Sequence, residues 1–478
     1  MSGWFPFQLS LTRRESIMNR ITDRQFVHVF GARLRAVAAT ALAALLLAAT
    51  LPAQTADGAP AVARVLTLDE ALRIAAAENK DIQKAREFRR KVMGRYLEER
   101  AAAMPQVTVT SSASRDSDES QKAFGGGFLE DFDFDVTRNL YTAEAGVSQA
   151  IYTWGQVGAA IRAAKEGMAD AEDQLVIYQQ AVARDVTTAF HGVLLARELH
   201  ALALENVAMK QRHLDEASRK FDAGLATDYD VLAAEVDLDN ARPAVIRAEN
   251  AIQIAREQLR FLLGLEGHVV DVTGTLEAPV GAYPAYAPVL EIALQNRPEI
   301  SELGHQSNIA KELVKIYGAG DKPRVDFRGG AGWRGQTIGE GQADGLAYSV
   351  GIYLTFPVFD GGRTKGKVMQ ARSDLETLRI EQAKLVDSIA LQVRQAVDNV
   401  HEAGEIIRAL GGTVTQAERL LAMAEKGFEF GVKTRLDVDD AQLNVLQAKI
   451  NLSRAKHDYL VARANLEWVS GTITTGTP

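Results

Sequence analysis

FDAGLATDYDVLAA occupies residues 221–234, and FEFGVKTRLDVDDA occupies residues 428–441. The two stretches share Phe, Gly, Thr, Asp, Val and a final Ala at one spacing, 207 positions apart. They belong to a longer duplication. LRIAAAENKDI at Leu72 answers LEIALQNRPEI at Leu290, and PQVTVT at Pro105 answers PRVDFR at Pro323, both at an offset of 218. SQAIYTWGQ at Ser148 answers LTFPVFDGG at Leu354 at an offset of 206. Block order is the same in both halves, and the changing offset places about 12 extra residues of the first half between Pro105 and Gly155. A repeat of this length decides the architecture before any local pattern does.

Proline is absent from Gly155 to Arg242 and from Val358 to Thr477. Long alanine-rich stretches without proline favour helix. Residues 156–223 and 362–430 as continuous helices would each reach ~100 Å at 1.5 Å per residue. The segments that follow carry a heptad seam. Val231, Ala234, Leu238, Ala241, Val245, Ala248, Ile252, Ala255, Leu259 and Leu262 step by threes and fours. Val438, Ala441, Val445, Ala448, Leu452, Ala455, Tyr459, Ala462, Leu466 and Val469 repeat the phase. Such a seam is that of a coiled coil. Pro243, whose counterpart is Ile450, is expected to interrupt and kink the first return helix. Gly224 and Gly431 suit the left-handed cap of the outgoing helices, and Thr227 and Thr434 suit the N-caps of the return helices. The opening motif is therefore read as the turn of a long helical hairpin, present twice because the hairpin is.

Strands are expected at about 105–117, 139–153, 323–335 and 345–359. Leu346, Tyr348, Val350, Ile352, Leu354 and Phe356 alternate with Ala347, Ser349, Gly351, Tyr353 and Thr355. Val325, Phe327, Ala331 and Trp333 alternate with Arg324, Asp326, Arg328 and Arg334, and the first-half strands repeat the pattern. One apolar and one polar face suit a membrane barrel strand, or a half-buried strand of a soluble sheet. Four strands cannot close a barrel, so several chains would have to share one.

Residues 1–53 read as a signal peptide: Arg20, Arg24, Arg33 and Arg35 precede the apolar run AVAATALAALLLAATLPA. Met18 is a possible true start, and cleavage is expected between residues 53 and 61. A retained membrane anchor is the competing reading. No later run is apolar enough for a membrane helix. The chain has no cysteine, which excludes disulfides, thiolate metal sites, cysteine nucleophiles and lipidation of a cysteine after the signal. Its net charge of −8 gives no sign of nucleic-acid binding. The eight histidines form no zinc motif, and neither a G-x-S-x-G elbow nor a Walker loop occurs. No enzyme activity, metal or cofactor is therefore expected.

Two copies of helix–strand–strand–long helix–helix behind a signal peptide resemble the TolC family of outer-membrane channel proteins. The marks are LTLDEALRIAAAENKDI, MPQVTVT, PVFDGGR, FDAGLATDYDVLAAE and FGVKTRLDVDDAQ. The repeats would occupy residues 66–265 and 289–470, joined by a Gly- and Pro-bearing linker at 266–288 and followed by a short tail at 471–478. The resemblance implies a mainly α fold with a transmembrane β portion, assembled as a homotrimer. Its 12-stranded β-barrel would lie in outer-membrane lipid of a Gram-negative cell and continue as a periplasmic α-helical coiled-coil barrel. It also implies docking to a periplasmic adaptor, and through it to an inner-membrane pump of RND, MFS or ABC type, for efflux or type I secretion. A non-channel periplasmic scaffold or adaptor is the alternative, although the separate β modules of adaptors are not evident.

The same resemblance assigns Asp437 and Asp440 to acidic rings at the periplasmic gate and Asp230 to a latch. Phe428 and Lys433 stand where the family can carry a latch tyrosine and arginine. Gly224, Leu225, Thr227, Gly431, Val432 and Thr434 would touch the adaptor, or only close the turns. Thr227-x-x-Asp230 and Thr434-x-x-Asp437 also read as capping boxes, an independent reason for both acids. Asp440 lies deeper in its helix and has no capping role to fill. The acidic loop between the first two strands, with DFDFD at 131–135, lacks EF-hand spacing and reads as solvated. Its Phe124, Phe128, Phe132 and Phe134 are alternatively expected to fold over the pore mouth.

Overall fold

The computed structural model describes residues 64–117, 137–338 and 341–476. The expected signal segment and the acidic-loop phenylalanines lie outside these residues. The chain begins with a short strand β1 (Arg64–Leu66), helices α1 (Leu68–Glu78) and α2 (Lys80–Ala101), then strands β2 (Gln106–Ser117) and β3 (Thr137–Tyr152). A long helix α3 (Gln156–Asp222) and its return helix α4 (Asp228–Leu263) complete the first half. After β4 (Val270–Val272), the second half repeats the order. It comprises α5 (Tyr286–Asn296), α6 (Pro298–Gly318), β5 (Arg324–Ile338), β6 (Gly341–Thr355), α7 (Arg363–Glu429) and α8 (Arg435–Val469).

The two outgoing helices have the same length, 67 residues. Each starts at a glycine with positive φ: Gly155, three residues after β3, and Gly362, seven residues after β6. A side chain is strained in that conformation, so glycine allows the chain to pass from pleat to helix within a few residues. The two return helices pack against α3 and α7 respectively. Every residue of the two ten-member seams is buried or half-buried. Pro243 does not interrupt α4: the helix runs unbroken past it, with the proline ring exposed.

Helix α3 is the shared spine. It packs against α1, α2, α4, α6 and α8, and so joins both halves. Near its middle, Val186, Phe190, Val193 and Leu194 are buried with Leu66, Leu72, Leu259, Leu263, Val270 and Val272. The linker strand β4 pairs in parallel with β1 here, so the segment joining the repeats is wrapped against the spine. Asp271 anchors it. Its carboxylate accepts from Arg256 Nε at 3.0 Å and Nη2 at 2.6 Å, and also pairs with Arg197. Above the same level, Trp468 of α8 lies between Arg184 of α3 and Arg297 at the start of α6, at 4.4 and 5.5 Å from the ring centroid. The Arg184 contact ties the second repeat to the first, and the Arg297 contact lies within the second.

The four longer strands form one antiparallel sheet in the order β2-β3-β5-β6. Register places Val109, Ala145, Ala331 and Tyr348 in one row and Val147, Gly329 and Val350 in a neighbouring one. This face is exposed despite being apolar: Tyr348 is 81% and Val350 74% exposed. The opposite face carries Ser112, Thr142, Glu144, Asp326, Arg328 and Arg334, as the alternation predicts. Trp333 folds over Gly335 on the apolar face, where a Cβ would stand 2.5 Å from its ring. The ring covers backbone that glycine leaves bare.

Asp271→Ala leaves two half-buried guanidinium groups without their carboxylate. A loss of about 2–3 kcal/mol is expected in urea unfolding of the helical region read by circular dichroism. Asp81→Ala, which removes only the exposed partner of Lys84, should change stability by less than about 0.5 kcal/mol.

The α3–α8 seam also predicts an acid sensitivity. Burial, and then the nearby His457 on α8, push the His191 imidazole on α3 down to about 4. Its neutral form is the folded one. The stability it supports is complete above about pH 6.5 and drains as pH falls toward 4, a difference on the order of 3 kcal/mol per protomer. His191→Leu should flatten the wild-type fall in stability across that interval. An unchanged slope would show that His191 titrates alike in both states.

Candidate functional site: the hairpin tips

Both hairpins turn in the same six-residue geometry. At the first tip Gly224 has φ +73°, Gly224 N–H donates to Phe221 O at 2.8 Å, and Leu225 N–H donates to Lys220 O at 2.7 Å. At the second, Gly431 has φ +73°, with Gly431 N–H to Phe428 O at 3.0 Å and Val432 N–H to Gly427 O at 2.8 Å. These paired bonds satisfy the last helical carbonyls and need a left-handed residue at the glycine. The residue after that glycine ordinarily packs back on the helix. Here Leu225 and Val432 instead project outward, 79% and 80% exposed.

The return helices open with true capping boxes. Thr227 N–H and Oγ1 donate to Asp230 Oδ2 at 2.8 and 2.7 Å, and Asp230 N–H donates back to Thr227 Oγ1 at 3.3 Å. Thr434 N–H and Oγ1 donate to Asp437 Oδ2 at 2.8 and 2.7 Å, with a return bond of 3.2 Å. Aspartate therefore closes the box where glutamate or glutamine is the usual third residue. Lys433 Nζ adds a bond to Asp437 Oδ1 at 3.2 Å. The Thr434 bonds first, and then Lys433, hold the Asp437 carboxyl down to about 2. Bonds from Thr227 lower Asp230 in the same direction.

The expected gate residues thus separate into groups. Asp437, Lys433 and Thr434 meet at the second tip. Asp230 bonds only within the first. Asp440 is exposed on α8 and makes no hydrogen bond or ion pair with the described residues. Phe428 is half-buried against Ala424, Val438 and Ala441, and Lys220 of α3 stands 5.5 Å from its ring centroid. That contact reaches from the first hairpin to the second.

Further ties between the hairpins went unread in the sequence. Lys210 of α3 bridges Asp237 of α4 at 3.1 Å and Asp439 of α8 at 3.3 Å, and Asp439 also pairs with Arg435. His213 meets Gln442 at 2.8 Å, and Glu205 pairs with Lys449 at 3.3 Å. Burial first, and then Arg435, lower the His213 imidazole, which favours its neutral form. A signal existed in the repeat: at the common offset, Leu232 stands where the second half has Asp439. The heptad pattern, however, gives no partner for such a difference. Among the described residues no cluster of side chains is arranged to hold a metal ion.

Comparison with known proteins agrees with this geometry. Residues 71–265 and 289–472 match the family described as "Outer membrane efflux protein". The chain is 26% identical over 389 residues to the alkaline protease secretion protein AprF of Pseudomonas aeruginosa, covering 78% of each chain. It is 24% identical over 387 residues to the outer membrane protein TolC of Vibrio cholerae, covering 78% of this chain and 84% of that one. In fold it is similar to the outer-membrane channel OprN, with a TM-score of 0.72, 19% identity and coverage of 86% and 91%. The Campylobacter jejuni CmeC outer-membrane channel gives 0.73, 15% identity and 85% of each chain. A sheet with one exposed apolar face, two helical hairpins whose outgoing helices are equal in length, and a family match over both halves lead to one conclusion: the chain belongs to the outer membrane efflux protein family, the TolC-type outer-membrane channels.

Proposed function

We propose that the protein is the passive trans-periplasmic conduit of a tripartite export machine, working as a homotrimer. The observation that carries this reading is the four-stranded sheet. It has one exposed apolar face, one polar face and two edges, β2 and β6, that pair on one side only among the described residues. Hydrocarbon does not tolerate unpaired strand edges, so the sheet must be closed by copies of itself. Three copies give 12 strands, within the range of outer-membrane barrels. The polar faces then line a water-filled lumen that opens onto the helical hairpins. Export of the chain by cleavage of its N-terminal segment, without lipid attachment, fits this location.

The tips are the docking and gating end. Leu225 and Val432, held outward by their glycines, offer apolar contacts to a periplasmic adaptor, with Thr227 and Thr434 beside them. The adaptor would link the conduit to an inner-membrane pump that supplies the energy. Asp440, without a partner among the described residues, is the better ring acid; Asp437 keeps its charge while closing the cap. Asp230 serves chiefly as a cap. Phe428, with Lys220, adds to the ties from Lys210 and His213 that hold the entrance closed, while Lys433 bonds Asp437 within the second tip. Rings of carboxylates at a constriction attract cations.

Purified protein in planar bilayers is expected to give discrete conductance steps that trivalent cations block from the tip side. In Asp437→Asn with Asp440→Asn, the blocking concentration should rise by about tenfold or more, since each trimer loses six charges. Unchanged block rejects the ring assignment, and absence of steps in the wild type favours the scaffold alternative. Crosslinking in native membranes followed by affinity capture should recover an adaptor and an inner-membrane pump. Leu225→Asp with Val432→Asp should lose them while still forming pores.

A further inference from the structure

We infer that Arg328 forms a ring of positive charge where the strand barrel meets the helical tube, and that this ring favours anions, opposite in sign to the entrance acids. The inference rests on the conduit reading above and extends it to selectivity. Arg328 lies on the polar face of β5, in register with Gly351 of β6 and Ser148 of β3. Other arginines of that face are answered. Arg324 pairs with Asp326 at 2.9 Å, and Arg334 pairs with Glu144 at 3.2 Å. Arg138 donates to Gln336 at 2.9 Å and stands across from Asp116 in the register. No carboxylate among the described residues lies within the 4.0 Å ion-pair distance of Arg328.

Its position is fixed without being neutralised. The guanidinium sits 5.1 Å from the centroid of the Tyr353 ring. That ring in turn lies across Gly351, where a Cβ would stand 3.1 Å from it. Glycine directly opposite Arg328 thus leaves room for the aromatic platform. Stacking on an aromatic face holds a cation by its quadrupole and leaves the net charge intact. Arg328 also lines a recess of about 280 Å³ with Arg324, Asp326, Gln106, Ser148 and Met104, at the base of the strands. The Arg324–Asp326 pair there cancels, so each protomer contributes one uncompensated positive charge at this level. Three copies make the ring, and the class it favours is small inorganic and organic anions.

The field of fixed charges reaches about 30 Å at 0.01 M salt, 10 Å at 0.1 M and only 3 Å at 1 M. The test is the reversal potential of the full-length protein in planar bilayers, across KCl graded from about 0.1 M to 0.01 M. Arg328→Gln is expected to raise the potassium-over-chloride permeability ratio about twofold relative to wild type. Arg328→Lys should keep the wild-type ratio, because it retains the charge. A ratio unmoved by Arg328→Gln overturns the inference, as does an equal change in Arg328→Lys, which would make the effect one of packing. Absence of discrete channels in the wild type is a different failure: it removes the conduit itself, and the ring with it.

Discussion

A strand edge exposed to hydrocarbon leaves a row of amide and carbonyl groups with neither water nor protein to bond them, at several kcal/mol each. Much of this molecule follows from that constraint. One chain supplies only four strands, and its apolar residues lie on a face that nothing in the same chain covers. A soluble sheet would bury that face. Here Val109, Val350 and Tyr348 stay exposed, while Arg334–Glu144 and Ser112–Thr142 satisfy one another on the opposite face. In the proposed trimer the sheet is one third of a closed barrel in lipid.

The helical part transmits that closure over a distance. Both outgoing helices begin at positive-φ glycines and run the same length, and near their ends Lys220 of one reaches Phe428 of the other. Equal reach matters more than the detailed packing, because a tube with uneven staves has no common end to seal or dock. Helix α3 keeps the two halves in step by touching both. The linker between the repeats pairs with β1 and buries Val270 and Val272 against the middle of α3. A duplication that might have made two loosely joined domains is thereby locked into one wall.

What could be read from the sequence follows from what is periodic or repeated. The paired tip motifs, the ten-residue seams and the strand alternation each recur, so a single chain carries its own comparison. The capping role of Thr227 and Thr434 was legible for the same reason, since a Thr with an acid three residues later satisfies local bonds only. Pro243 was expected to interrupt α4, but the helix runs past it with the proline exposed to solvent. The Lys210–Asp439 and His213–Gln442 ties were invisible because they join residues 229 positions apart, outside the repeat relation. The tyrosine platform under Arg328 needed the strand register as well as the alternation.

Local and distant interactions at the tip also divide the labour of opening. The capping boxes lie entirely within one hairpin: Thr434 with Asp437, Thr227 with Asp230. A hairpin that swings outward keeps them, so its end stays rigid while it moves. In the proposed opening, the contacts that would break are those between hairpins, from Lys210, His213 and Lys449, and the stacking of Lys220 on Phe428. The Glu205–Lys449 pair and the Lys220–Phe428 stack are partly exposed and contribute little individually, whereas Lys210 and Gln442 are largely buried. In the proposed gate, a few separate ties across a seam join two ends held by local bonds, and a docked partner would open them through its differential interaction with the two states. The glycines that fix the turns leave Leu225 and Val432 exposed at the tips.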